Sequence, residues 1–99
     1  MKTDKILTSA EKIEYILQHF DFEEVHKIMT LRQHRWYSNT TGGLEIPSRS
    51  EIIKTARNLL ELVNKQGGLV QTGGLTAIKQ ESEDGYTQFL LFYGVCSTT

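Results

Sequence analysis

Arg32-Gln33-His34-Arg35-Trp36-Tyr37 is the densest mixture of cations and aromatic rings in this chain. Guanidinium groups grip phosphate through paired hydrogen bonds, and aromatic rings stack on bases. The run therefore suits a nucleotide or nucleic acid. It equally suits a helix end, where cations complement the dipole and a lone Trp packs into a small core. Ser48-Arg49-Ser50 opens a second helix, with Lys54 and then Arg57 further along it. The free N–H groups of such a start favour an anion, although capping alone explains Ser48. Thr72-Gly73-Gly74 lets the backbone approach a ligand closely and present N–H groups to it. It lacks the Gly-Lys-Ser/Thr ending of a phosphate loop, and a turn or bulge accounts for it too. The candidate ligand-binding set is therefore Arg32, Arg35, Trp36, Tyr37, Arg49, Arg57, Thr72, Gly73 and Gly74.

Charge supports the same region. Residues 27–57 hold Lys27, Arg32, Arg35, Arg49, Lys54 and Arg57 against Glu45 and Glu51, a net of +4, while the segments before and after carry −3 and −2. The middle of the chain is where an anion would be welcome. The whole chain has a formal charge of −1, which argues against a nucleic-acid binder held by bulk charge.

Other chemistry finds little footing. His19, His26 and His34 are spaced by 7 and 8, which does not place two ligands on one helix turn, and there is a single Cys. No nucleophile motif or paired-carboxylate motif stands out. No catalytic residue, metal or cofactor is expected, and the chain is read as a non-enzyme. The first two helices are acidic, which argues against helix-turn-helix docking on DNA.

The elements that must position these residues follow from periodicity. With 99 residues the chain is one domain, large enough for a single core. Thr8 and Glu11 form a capping box ahead of Ile13, Ile16, Leu17 and Phe20, which predicts a helix over 9–20. Asp21 restarts a helix carrying Phe22, Val25, Ile28, Met29 and Arg32, ending near His34. Trp36-Tyr37 suits a short strand, and Ser38 to Gly43 a turn. Ser48 and Glu51 cap the strongest helix, 49–65, with Ile52, Ile53, Ala56, Leu59, Leu60 and Val63 on its apolar face. Gly67 and Gly68 stop it, and Gly42-Gly43 belongs to a loop. A strand at 75–80, a turn at 82–85 and a return strand at 86–95 form a hairpin. Phe89, Leu91 and Tyr93 point one way and Leu90 and Phe92 the other, so both faces of that strand need cover. A second copy of the protein is the expected cover, making the chain a homo-oligomer. The fold class is α+β: three helices packed on a small antiparallel sheet that ends in a C-terminal β-hairpin.

Cys96 allows no internal disulfide, and Lys2, Asp4 and Lys5 lead into no long apolar run. A cytoplasmic protein without a signal peptide or membrane segment is expected.

Certain residues recur together in a known pattern. They are Asp21-Phe22-Glu23-Glu24-Val25-His26-Lys27-Ile28-Met29, Trp36, Ile46-Pro47-Ser48, Ala56 with Leu59-Leu60, Thr72-Gly73-Gly74-Leu75-Thr76-Ala77 and the apolar closing strand. Across residues 21–92 the chain resembles a family of small phage and prophage proteins with no activity assigned to the family as a whole. It departs from that pattern at Leu75, where an aromatic residue is common, and in its Ser-Thr-Thr end, where acidic tails are usual. The resemblance implies a phage-linked origin. Together with the basic middle it suggests a non-enzymatic counter-defence protein that sequesters a cyclic nucleotide signal. The alternative partner is a host defence protein, blocked directly in the manner of an anti-CRISPR. A small hydrolase is the third option.

Overall fold

The computed structural model describes residues 7–94. The expected strand end at Val95, Cys96 and the 97–99 tail lie outside the described residues. The element order is α1 (Ser9–His19), α2 (Phe22–Arg32), β1 (Trp36–Tyr37), β2 (Leu44–Glu45), α3 (Arg49–Gln66), β3 (Gly68–Thr72), β4 (Leu75–Glu81) and β5 (Thr87–Tyr93). Three helices and two antiparallel sheets make the expected α+β fold. No helix among the described residues is long and apolar enough to cross a membrane.

Local chemistry sets the helix boundaries. Thr8 and Glu11 exchange side-chain and backbone hydrogen bonds at the start of α1, and Ser48 and Glu51 do the same for α3. Both capping boxes satisfy N–H groups that the helix leaves orphaned. Asp21 caps α2 through the Glu24 amide. That helix ends two residues earlier than the periodicity suggests, because Gln33 adopts a left-handed conformation (φ 52°) and the His34 amide closes onto the Met29 carbonyl. This stop swings His34 and Trp36 toward the sheet.

The core is built on α3. Ile52, Ala56, Leu59, Leu60 and Val63 are buried along one stripe, against Leu75, Ala77 and Phe89 of the sheet and Ile13, Leu17, Val25 and Met29 of the other helices. A fully buried large apolar side chain contributes about 1.5–3 kcal/mol, so this stripe is the main anchor of the fold. Ile53 departs from expectation. It sits exposed beside the α1–α2 junction. The helices also do not lie on the sheet as one layer. Helix α3 covers β3 and β4, α1 leans on β5, and α2 packs on α3.

The larger sheet is a meander of order β3-β4-β5, where the sequence suggests a hairpin alone. Gly67 does end α3, its N–H bonded to the Val63 carbonyl at 2.7 Å, but Gly68 opens β3 rather than extending the stop. The second, two-stranded sheet pairs Trp36 with Glu45 and Tyr37 with Leu44. The turn at 82–85 forms as expected, with the Ser82 amide donating to the Tyr86 carbonyl. Lys79 donates to the Asn64 carbonyl at 3.1 Å near the end of α3, the pairing a helix C-terminus favours.

Candidate functional site

The nine candidate ligand residues fall into separate groups. Arg49 reaches Glu23 of α2 at 2.6 Å, and Arg57 forms a two-pronged pair with Glu14 of α1. The Arg57 guanidinium holds the Glu14 carboxyl below its ordinary range, and the hydrogen bond from Arg57 to Glu14 raises the Arg57 pKa in return. Both arginines therefore already have carboxylate partners, and both serve as ties between helices. Such exposed ties contribute little to stability.

Arg32 and Arg35 are exposed at the end of α2 and just beyond it. Tyr37 is 66% exposed on β1. The cleft next to it, about 300 Å³, is lined by Tyr37, Glu45, Glu51 and Lys54 among others. Two carboxylates against one ammonium make it a poor seat for an anion.

Trp36, Gly73 and Gly74 do meet, but around each other. The Trp36 indole is partly buried against the core and donates to the Gly73 carbonyl at 2.9 Å. Gly73 and Gly74 form the two-residue turn between β3 and β4, with φ of 58° and 93°. Two successive positive φ values are what this tight hairpin requires. A Cβ on Gly73 would lie 2.5 Å from Trp36 Cε2. A Cβ on Gly74 would lie 2.9 Å from Tyr93 Cε1 and 3.1 Å from His34 Cε1. The glycines thus make room for an aromatic corner. His34 Nδ1 and the Tyr93 hydroxyl are hydrogen-bonded within it. Burial raises the Tyr93 pKa, and the nearby Arg32 charge offsets this in part. Thr72 simply pairs with Leu75 at the end of β3.

A different surface emerges from the register. Residues opposite one another across an antiparallel pair share a face. Leu69, Ile78 and Leu90 therefore form one row across all three strands, and Gln71, Thr76 and Phe92 the next. Gln80 and Gln88 complete this face. The opposite face carries Val70, Leu75, Ala77, Phe89, Leu91 and Tyr93, which pack into the core under the helices. On the outer face Leu69 is 56% and Phe92 47% exposed. None of its eight residues is charged, although charged residues make up 23% of the chain. Solvated sheet faces usually alternate with polar and charged residues. The signal for half of this surface lay in the sequence, in the two-sided apolar pattern of β5. The other half carries no such signal, because Leu69-Val70 is too short an apolar run to mark β3 as a strand.

Among the described residues there is no cluster of three or more His, Cys, Asp or Glu that could hold a metal ion. Compared with protein-family models, with curated proteins and with solved structures, the chain matches none.

Proposed function

We propose that this protein is a non-enzymatic interaction module that binds another protein on the outer face of its three-stranded sheet. One observation carries the proposal: an uncharged outer sheet face on which Leu69 and Phe92 are exposed and Ile78 and Leu90 half-buried. Depletion of charge with retained apolar and aromatic groups marks the centre of protein interfaces. The partner chemistry is correspondingly an uncharged, apolar protein surface. In the phage setting that the resemblance implies, the target is a host defence protein and the outcome is its direct inhibition. The nucleotide-sequestering alternative is less well supported, since Arg49 and Arg57 are engaged by Glu23 and Glu14. Its remaining cations are Arg32 and Arg35.

Phage plating on bacteria carrying single defence systems tests the proposal. The wild-type protein, expressed in those cells, should restore plaques against at least one system. Leu69→Glu should lose that activity while staying folded, because Leu69 is largely exposed, and Arg35→Ala should keep it. The opposite pattern, with Leu69→Glu active and Arg35→Ala inactive, would replace protein docking by an anion grip.

A further inference from the structure

We infer that two copies of this chain join edge to edge through β5, forming one continuous six-stranded sheet. The inference starts from backbone hydrogen bonds. The Gly94 amide donates to the Gly74 carbonyl at 2.9 Å, and the Ser82 amide to the Tyr86 carbonyl at 2.9 Å. Antiparallel ladders alternate bonded and non-bonded pairs. With the observed register, the even-numbered residues of β5 bond to β4 and the odd-numbered ones direct N–H and C=O outward. Thr87 turns its carbonyl to Lys12 Nζ of α1, at 2.6 Å. Phe89, Leu91 and Tyr93 are left with outward backbone groups on an open edge.

Beyond Lys12 and α1 at its Thr87 end, that edge lacks the usual protection. Natural edge strands are blunted by charge, proline, bulges or shortness. Strand β5, Thr-Gln-Phe-Leu-Leu-Phe-Tyr, has seven residues with no charge and no proline. The cation nearest its backbone, Lys12, comes from α1 and sits at one end only. The other edge, β3, is shorter and begins with Gly68, and by the same alternation it turns only Leu69 and Gln71 outward.

The occupant that fits is β5 itself. A two-fold axis through Leu91 pairs Phe89 with the partner's Tyr93 and Leu91 with the partner's Leu91, giving about six new backbone hydrogen bonds. On the outer face Leu90 meets the partner's Phe92 and Phe92 meets the partner's Leu90. No like charges face each other in this register, and the Lys12–Thr87 bond is kept. On the helix side the partner's Tyr93 arrives beside Phe89, in an open cleft of about 840 Å³ between α1 and β5 whose lining includes Tyr15, Ile16, Tyr86 and Phe89 together with Lys12 and Asp84. The pairing also answers a question of size. Three strands span only about 14 Å, narrow for the roughly 800 Å² per side of a standard interface. Joining two sheets doubles the uncharged face. That use of the dimer rests on the docking function proposed above; the pairing itself does not.

Sedimentation and concentration-dependent amide hydrogen exchange test the pairing. The wild type should show about twice the 11.3 kDa chain mass at tens of micromolar. Exchange at the Phe89, Leu91 and Tyr93 amides should slow as concentration rises. Phe92→Lys, at an exposed position, should leave the fold intact and weaken association at least about tenfold, because it sets like charges on both sides of the seam. A monomer at every concentration overturns the pairing. So does a dimer whose three edge amides exchange rapidly throughout, since its contact lies elsewhere. Leu69→Glu separates the two proposals. A monomeric wild type whose plaque activity still depends on Leu69 removes the pairing and keeps the docking face. A β5-paired dimer whose activity ignores Leu69 does the reverse.

Discussion

Replacing Gly73 by alanine should be among the most damaging single-methyl additions in the chain. Two effects combine. A non-glycine residue at φ 58° costs about 1–2 kcal/mol from left-handed backbone strain alone. The new Cβ would also lie 2.5 Å from both Trp36 Cε2 and Trp36 Nε1, well inside contact distance, so the indole has to move. Moving it weakens the Nε1–H bond to the Gly73 carbonyl, a further ~0.5–1.5 kcal/mol, and loosens the packing of a partly buried ring. The expected loss is about 2–4 kcal/mol, from a total that is typically 5–15 kcal/mol. At about 4–8 °C per kcal/mol the midpoint should fall by roughly 8–32 °C. Gly85→Ala is the matched control. It shares a positive φ, 86°, but a Cβ there meets nothing within 4 Å, so only the strain of about 1–2 kcal/mol applies. Trp36 is the single tryptophan, so urea unfolding followed by its fluorescence reports the local packing and the global transition together. Equal losses for Gly73→Ala and Gly85→Ala would refute the reasoning. So would an undiminished Gly73→Ala effect in a Trp36→Leu background, where circular dichroism replaces the lost fluorescence.

Ser48→Ala should destabilise the protein by about 1 kcal/mol in chemical denaturation, because it removes the acceptor for the Glu51 amide. Leu60→Asp should abolish the cooperative thermal transition, since Leu60 is fully buried and an unpaired charge there is not tolerated; an unchanged melt would mean that α3 faces the other way. Tyr93 ionises later in the folded protein than in the unfolded chain because burial disfavours its phenolate. Its raised pKa therefore contributes stability that is complete below the unfolded value, about 10, and is lost as pH rises through the folded one. Spectrophotometric titration of Tyr93→Phe should lose one phenol that in the wild type ionises above its ordinary value, and the alkaline fall in its stability should be shallower.

Local signals carried much of the fold. Thr8 with Glu11 and Ser48 with Glu51 announced two helix starts, and the 3.6-residue spacing from Ile52 to Val63 set the face of α3. The turn at 82–85 was equally legible. Strand β3 was not, because Gly67-Gly68 looked like a helix stop and Leu69-Val70 is too short an apolar run to show alternation. Gly73-Gly74 was itself the missing clue: a Gly-Gly pair between two extended runs signals a two-residue hairpin. The site was less legible for a physical reason. Whether an arginine is free depends on carboxylates distant in sequence, here Glu14, 43 residues from Arg57, and Glu23, 26 from Arg49. Likewise the placement of the Trp36 ring depends on the β3–β4 turn, 37 residues away, whose Gly73 carbonyl accepts its Nε1–H.

The lone bond from Lys12 to the Thr87 carbonyl spans 75 residues of sequence, and that separation bears on the order of folding. Helix α3 and the β3-β4-β5 meander are contiguous in the chain and close short loops, the kind of contact that forms early. Helices α1 and α2, with 11 residues each, are too short to persist alone in water. On a ribosome they emerge first yet have nothing to lean on until α3 appears, and α1 lacks its second support until β5 is made. The N-terminal segment is thus expected to dock last, and substitutions at Ile13 should chiefly speed unfolding while those at Leu60 or Ala77 slow folding. Stopped-flow rates for these variants would expose the opposite order if Ile13 proved to be the one that slows folding.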